Sequence, residues 1–160
     1  MRPTWVTVDL DAIEHNVRVL RAVSHPAVVC AVVKANGYGH GAVPVARAAL
    51  RGGAAWLAVA CIDEALELRE AGIDAPILVL SEPRPSEMRV AFDAGVRVTV
   101  YSHVGIAAAA DAARSGSTER WPVQLKVDTG MNRVGAAAAD VLALAGAIVS
   151  SGVLELESVW

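Results

Sequence analysis

The chain has 160 residues, of which 54% are hydrophobic and 19% charged, so it is long enough for one packed domain and too apolar to be disordered. Its net charge of -3, from 14 basic and 17 acidic side chains without a basic run, argues against nucleic acid or an anionic membrane as the main partner. Asp9, Asp11 and Glu14 interrupt the N-terminal segment, and no apolar stretch of about 18 residues follows, so we expect neither a signal peptide nor a membrane span.

The first elements are a short strand, a helix and a second, more apolar strand. Residues 5–8 have a strand pattern, and Asp11, with Glu14 three residues later, predicts the start of a helix. Ile13, Val17 and Leu20 share one face of that helix. Residues 27–33 form an unbroken apolar run, which is typical of a strand buried on both faces of a parallel sheet.

Strands and helices then alternate to the end of the chain. Further strands are predicted at 56–60, 76–80, 96–100, 122–127 and 153–159, and helices at 42–51, 63–71, 85–94, 103–114 and 137–150, with a polar connection at 115–120. This alternation predicts βαβ units and a parallel sheet. Six strands fit either an open doubly wound sheet or part of a (β/α)8 barrel, which needs eight strands and about 250 residues.

Lys34 follows the apolar run directly, which places it at the C-terminal edge of a parallel sheet, where α/β active sites lie. A desolvated lysine there is a nucleophile suited to a Schiff base. Gly37, Gly39 and Gly41 let backbone N–H groups approach an anion, and Tyr38 can donate its hydroxyl to a phosphate oxygen. The set suits a phosphorylated aldehyde, although a lone strand-end lysine is more often a surface residue.

The string VKANGYGHG, from Val33 to Gly41, closely resembles the attachment motif for pyridoxal phosphate (PLP) in alanine racemases. The resemblance implies that Lys34 holds PLP covalently and, once substrate has freed it, moves the α-proton on the D-alanine side. It also implies that Tyr38 contacts the phosphate of the cofactor.

A second string, LKVDTGMNRVG, follows the fifth barrel strand and resembles another signature of that family. Arg133 within it has five donors in a fixed fork, which suits a phenolate or a carboxylate. The resemblance implies that Arg133 reaches the phenolic oxygen of PLP and lies close to the substrate carboxylate. Lys126 resembles a lysine that is often carbamylated in the family, where the carbamate orients the arginine. Alone, Lys126 and Asp128 would as readily form a surface ion pair.

The resemblance predicts a partial (β/α)8 TIM-type barrel with about six of its eight strands. Residues 1–160 would form the N-terminal PLP-binding portion of an alanine racemase, without its C-terminal β domain. The implied protein is a cytoplasmic homodimer that interconverts L-alanine and D-alanine and supplies D-alanine for peptidoglycan. Racemisation proceeds best with two opposed bases. In the family the second base is a tyrosine from the C-terminal domain of the partner subunit, so we expect the 160-residue chain alone to be inactive.

Two other classes of PLP-binding protein also have a lysine at the end of a strand. A PLP-binding carrier or an amino-acid decarboxylase of the same barrel class would carry it too, but Arg133 within DTGMNRVG argues against both. No spacing of histidine and cysteine matches a metal site, so no metal is expected. Cys30 and Cys61 each lie in an apolar run and are predicted to be buried free thiols in a reducing compartment.

Overall fold

The fold is a six-stranded parallel sheet with helices between the strands, described by a computed structural model for residues 3–116 and 119–160. The strands are β1 (Cys30–Val32), β2 (Trp56–Val59), β3 (Ile77–Val79), β4 (Arg97–Val100), β5 (Trp121–Leu125) and β6 (Leu154–Val159). The helices are α1 (Leu10–Ser24), the short turn α2 (Lys34–Tyr38), α3 (Ala42–Arg51), α4 (Ile62–Glu70), α5 (Met88–Asp93), α6 (His103–Arg114) and α7 (Val141–Ser150). The six predicted parallel strands are confirmed, and each pairs with the next in chain order.

One face of the sheet packs against the helices. Side chains alternate between the two faces of a strand, and those on the helix-facing side are fully buried, among them Leu57, Val59, Ile77, Val79, Val98, Val100, Val123 and Leu125. They share one continuous core with apolar residues of the helices, such as Leu68 of α4 and Ile106 of α6. This burial accounts for the runs of β-branched residues in the sequence.

The opposite face carries polar as well as apolar side chains, and alternate strands meet across it. The Arg97 guanidinium of β4 lies 5.8 Å from the ring centroid of Trp56 in β2, and its Nε lies 3.6 Å from a carboxylate oxygen of Glu157 in β6. Gln124 of β5 donates its amide N–H to the same Glu157 carboxylate. Contacts between β2, β4 and β6 are those of a barrel interior, whose layers come from alternate strands. The polar content of this layer was not predicted.

The N-terminal segment departs from prediction in two ways. The strand expected at residues 5–8 does not form, because none of the described strands lies beside it, and Trp5 and Val6 are exposed. The residue that caps α1 is Asp9, not Asp11: the Oδ1 atom of Asp9 accepts the Ala12 N–H at 3.0 Å. Asp11 lies inside the first turn instead.

Replacing Asp9 by alanine is expected to destabilise the chain by about 1 kcal/mol, because the Ala12 N–H then loses its acceptor. The matched variant Asp11→Ala removes an acidic side chain from the same turn without removing the cap, and should cost about 0.3 to 0.5 kcal/mol. Urea denaturation of both variants measures the difference. Equal losses would contradict the assignment of Asp9 as the cap.

The first strand is more exposed than predicted. The expected run 27–33 shortens to Cys30–Val32, and Val32 is 40% exposed because the interior face of β1 meets no further strand of the described sheet. The prediction of burial on both faces is therefore wrong for β1. The two cysteines were predicted to be buried free thiols. Their predicted burial is wrong, since Cys30 and Cys61 are both exposed, but both are free thiols as predicted.

Two predicted helices begin later than their sequence patterns do. The pattern at 85–94 opens as a 3-10 turn at Pro85–Glu87 before α5 begins, and the pattern at 137–150 opens as a 3-10 turn at Ala138–Asp140 before α7. Ser102 caps α6 as predicted, through a bond of 2.9 Å from the Gly105 N–H. Of the predicted polar connection at 115–120, residues 117 and 118 lie outside the described residues.

Candidate functional site

The turn that follows β1 is left-handed. Lys34 begins α2, and the next four residues, Ala35, Asn36, Gly37 and Tyr38, have φ angles of 53°, 53°, 61° and 55°. The left-handed conformation costs roughly 1 to 2 kcal/mol for each residue that carries a Cβ atom. A run of such residues therefore requires hydrogen bonds that hold it in place.

Asn36 supplies several of those bonds. Its backbone carbonyl accepts the N–H groups of Gly39 at 3.1 Å and Gly41 at 2.8 Å. Its side-chain Oδ1 accepts the N–H of Ala42, the first residue of α3, at 2.9 Å. The N–H groups of Gly39 and Gly41 are thus already hydrogen-bonded within the turn. The glycines provide its conformation, whereas the sequence suggested that they open the backbone to an anion.

A cavity of about 270 Å³ lies at the C-terminal ends of the strands. It is lined by Lys34, Ala60, Leu80, Ser81, Lys126, Arg133, Val134 and Trp160. An adjoining cavity of about 280 Å³ shares Lys126, Arg133, Val134 and Trp160 with it. The structure therefore brings Lys34, Lys126 and Arg133 to one place, at the sheet edge where periodicity had put them.

The two lysines of this cavity are the only two in the whole sequence. The other twelve of the 14 basic side chains are arginines, which are spread along the chain. Lys34 and Lys126 both line the same cavity, and Arg133 adds a third cation to it. A concentration of positive charge inside a cavity favours an anion there, because apolar walls strengthen the field of the cations.

Lys126 has an ammonium pKa that its surroundings in the cavity shift downward. Burial lowers the pKa of its ammonium, the nearby Arg133 and Lys34 lower that pKa further, and Asp128 opposes them. The Lys126 Nζ lies 4.0 Å from the ring centroid of Trp160, a cation–π distance, and 3.5 Å from the Leu80 carbonyl oxygen. A lowered pKa leaves more of the amine neutral, and the neutral form is the one that reacts with electrophiles.

Arg133 is carried by a loop that Asp128 organises. The Asp128 Oδ1 accepts the Gly130 N–H at 2.9 Å and the Asn132 N–H at 3.0 Å. The Ala136 backbone closes the loop, donating to the Lys126 carbonyl at 2.9 Å and accepting from the Asp128 N–H at 2.8 Å. The Arg133 side chain is exposed at the end of this frame, where a ligand can reach it.

The same hydrogen bonds make the Asp128 loop sensitive to acid. The N–H groups of Gly130 and Asn132 hold the pKa of the Asp128 carboxyl below its usual value. A depressed pKa stabilises the loop at pH values above the ordinary aspartate pKa, and that stabilisation is lost as pH falls through the depressed one. In an NMR titration, the amide protons of Gly130 and Asn132 should therefore shift with a midpoint below the ordinary pKa of aspartate. A midpoint at or above it would contradict the loop structure.

Tyr38 and His40 lie in the turn but not in the lining of the cavity. The Tyr38 side chain is 58% exposed, and its predicted contact with a phosphate stays a prediction. The His40 Nδ1 lies 3.0 Å from the Gly37 carbonyl oxygen, which links the ring to the turn.

Two carboxylates beside the cavity were missed in the sequence. Glu64 accepts backbone N–H groups from Ala35 and Ala60, and Glu82 accepts them from Tyr101 and Ser102. Each joins the ends of two neighbouring strands. In the sequence, Glu64 could be recognised only as an acidic residue in the first turn of a helix, which predicts that it caps the N-terminus of that helix.

Neither a metal cluster nor a membrane span emerges from residues 3–116 and 119–160. No group of three or more histidine, cysteine, aspartate or glutamate side chains there could hold a metal ion. None of the helices in that part combines the length and apolar character needed to cross a bilayer.

Comparison with known proteins gives one consistent result. The family model described as "Alanine racemase, N-terminal domain" matches residues 8–160. The chain is 46% identical to an alanine racemase of Symbiobacterium thermophilum over all of its length, and 47% identical to one of Thermobifida fusca over 96%. It covers 42% and 41% of those two proteins, so it spans about two-fifths of the length of these relatives.

Solved structures of the same kind superpose closely. An alanine racemase of Streptomyces lavendulae matches 96% of the chain with a TM-score of 0.87 and 42% identity, and the chain covers 41% of it. A histidine racemase of Leuconostoc mesenteroides matches 94% with a TM-score of 0.86 and 32% identity, and the chain covers 41% of it. The six-stranded sheet is thus similar to the N-terminal barrels of these racemases.

Proposed function

Since the chain belongs to the alanine racemase family, whose N-terminal domain it matches over residues 8–160, we propose that it is the cofactor-binding portion of a PLP-dependent alanine racemase. The observation that carries the proposal is the cavity at the strand ends, where Lys34, Lys126 and Arg133 converge. In this proposal Lys34 is the catalytic residue, and the whole protein supplies D-alanine for peptidoglycan as a homodimer in the cytoplasm.

The residues present fit PLP. The cofactor carries a phosphate, a phenolic oxygen and an aldehyde, and the cavity offers three cationic side chains, of which two are primary amines. Lys34 would bond the aldehyde carbon, because it leaves the sheet directly at the end of β1. Arg133 would donate to the phenolic oxygen, and Tyr38 would donate its hydroxyl to the phosphate.

When bound, PLP supplies an electron sink that spreads the charge left on the α-carbon of an amino acid once its proton is removed. In this proposal the Lys34 Nζ, once substrate has freed it, removes the α-proton when D-alanine is the substrate and delivers a proton to the same face when L-alanine is, while the second base serves the opposite face. Arg133 lies close enough to the same cavity to orient the substrate carboxylate through its fork of N–H groups.

We propose that Lys126 acts on Arg133 through a change of charge. The lowered pKa of the Lys126 ammonium increases the share of neutral amine, which can add carbon dioxide and release a proton to become a carbamate. The change turns a cation beside Arg133 into an anion that accepts N–H bonds from the guanidinium. Carbon-13 NMR of the folded protein in labelled bicarbonate tests this, because a carbamate on Lys126 gives its own carbonyl signal and loses carbon dioxide once the protein is unfolded.

Racemisation needs a second base on the opposite face, and the lining of the Lys34 cavity includes no tyrosine or histidine among the described residues. As the resemblance to alanine racemases implies, we propose that the second base is a tyrosine from a C-terminal β domain of the partner subunit. It follows that the 160-residue chain alone does not racemise alanine, and measurable turnover by the purified chain would contradict this part.

The direct test is a chiral assay of the product of the whole gene with L-alanine, D-alanine and L-histidine. Histidine is included because one structural neighbour is a histidine racemase. The proposal predicts interconversion of the two alanine enantiomers at the highest kcat/KM. Loss of carbon dioxide from the substrate would instead favour the decarboxylase alternative, and PLP binding without any turnover would favour the carrier alternative.

A further inference from the structure

Glu64 joins the turn that follows Lys34 to the neighbouring strand. One of its carboxylate oxygens, Oε1, accepts the Ala35 N–H at 2.7 Å, and the other, Oε2, accepts the Ala60 N–H at 2.7 Å. Ala35 directly follows Lys34, and Ala60 directly follows β2 and lines the same cavity as Lys34. A single carboxylate thus fixes the peptide next to Lys34 against the end of β2.

The position of Glu64 in α4 explains how it can serve both strands. Cys61 is the N-cap of α4, so Glu64 is the third residue of the helix, where a glutamate commonly reaches back to cap its own helix. Here it reaches one residue further, to Ala60, with only one oxygen. The second oxygen remains available for the neighbouring turn. A charged acceptor is also stronger than a neutral one toward N–H groups.

Ala35 is the residue that most needs this acceptor. It has a φ of 53° and a Cβ atom, and it is neither glycine nor asparagine, the residues that adopt this conformation most readily. It also begins the left-handed run, so its conformation sets the direction of every later residue in the turn and of Lys34 just before it. The Glu64 bond is a long-range contact that holds this backbone, since 29 residues separate the partners.

We infer that Glu64 is a positioning residue for Lys34: its carboxylate holds the left-handed turn against the end of β2 and thereby fixes where the Lys34 amine enters the cavity. The inference rests on the proposed function, because it assumes that the reactive amine is the one on Lys34. Glu64 itself needs no contact with cofactor or substrate. Its effect passes through the Ala35 peptide.

The test compares the reactivity of the two lysines within one molecule. The chain is incubated with PLP, reduced with borohydride and digested, and the adducts on Lys34 and Lys126 are counted. Glu64→Gln keeps the shape of the side chain but turns one acceptor oxygen into an N–H donor that opposes a backbone N–H. We expect labelling of Lys34 to slow by about tenfold while labelling of Lys126 stays the same.

Glu82→Gln is the matched control. Glu82 joins the ends of β3 and β4, where its Oε2 atom accepts the N–H groups of both Tyr101 at 2.6 Å and Ser102 at 2.9 Å, and neither bond involves the Lys34 turn. Because the amide oxygen of glutamine can still accept both N–H groups, this variant removes the negative charge of the acceptor and should leave the ratio of Lys34 to Lys126 adducts unchanged. Amide exchange should rise at Ala35 in the first variant, and at Tyr101 and Ser102 in the second.

The outcomes separate the inference from the proposed function. If the unchanged chain is labelled at Lys126 and not at Lys34, the proposed function fails. If the unchanged chain is labelled at Lys34 and Glu64→Gln leaves that rate unaltered although Ala35 exchanges faster, the positioning role is refuted. If Glu64→Gln does not fold, the ratio of Lys34 to Lys126 adducts is measured in Glu64→Asp instead. Aspartate keeps the negative charge, but its side chain is too short to reach the N–H groups of both Ala35 and Ala60. An unaltered ratio in it refutes the role equally.

Discussion

Replacing Lys34 by alanine is expected to lower racemisation by the product of the whole gene at least about a thousandfold, because one side chain supplies both the covalent anchor and a proton-transferring base. The loss should appear in kcat, since the step that fails is the movement of the α-proton. Chiral chromatography of the alanine enantiomers measures it. Addition of a small amine such as methylamine should restore part of the rate by supplying the missing base.

The matched variant Lys34→Arg distinguishes the positive charge of Lys34 from its ability to bond an aldehyde and to transfer a proton. Arginine keeps the positive charge in the cavity, but its guanidinium does not lose a proton near neutral pH and cannot bond an aldehyde as a primary amine does. It should be as inactive as Lys34→Ala. If Lys34→Arg kept more than a tenth of the activity, Lys34 would act only as a cation, and the assignment of a catalytic base would be wrong.

Replacing Gly135 by alanine should destabilise the chain by about 3 kcal/mol, the largest effect that we expect from a single methyl group. Gly135 has a φ of 129°, and a Cβ atom there would lie 2.7 Å from the Asp128 N and 2.9 Å from the Val127 carbonyl carbon. Both are backbone atoms held by the pairing of Val127 with Ala136, so neither can move aside cheaply. The loop that carries Arg133 would have to shift instead.

Gly130→Ala is the control for that prediction, since it lies in the same loop with a φ of 125° but has no atom within 4 Å of the added Cβ. It carries the conformational strain without the clash and should cost about 1 kcal/mol. Urea denaturation of the two variants gives both values. If Gly130→Ala were as costly as Gly135→Ala, the close approach of Gly135 to Asp128 would not be the cause.

Much of the fold follows from short-range patterns in the sequence. Runs such as those at β2 and β3 are apolar because their helix-facing residues are fully buried, and the caps and glycines between them mark the helix ends. The parallel direction of the strands follows from the alternation of βαβ units, whereas their sequential order, which separates a partial barrel from a doubly wound sheet, was not decided by that pattern. Lys34 and Arg133 could be placed at one edge for the same reason, since parallel strands all end there.

What the sequence did not reveal depends on contacts between distant residues. The strand expected at residues 5–8 has the right residues but no partner, and pairing is not visible in a local pattern. Asp9 and Asp11 are equally good caps by residue type, and only the start of the helix decides between them. Arg97 and Glu157 lie 60 residues apart, so their meeting in the barrel interior required the curvature of the sheet.

In the candidate site, too, some features follow from local sequence patterns and others depend on contacts between distant residues. Its cationic residues could be found because each follows an apolar strand within a string that resembles a family motif, whereas the left-handed turn and Glu64 could not. Asn36 and the glycines permit a left-handed turn, but many tight turns use the same residues. The role of Glu64 exists only because β1 and β2 are neighbours, with Cys30 paired to Trp56.

The most direct test of the central claim is to map the lysine that PLP modifies. The chain offers three primary amines, those of Lys34, Lys126 and the N-terminus, so borohydride reduction followed by peptide mass spectrometry gives an unambiguous answer. The account predicts that the reduced adduct lies on Lys34. An adduct confined to Lys126 or to the N-terminal amine would contradict it.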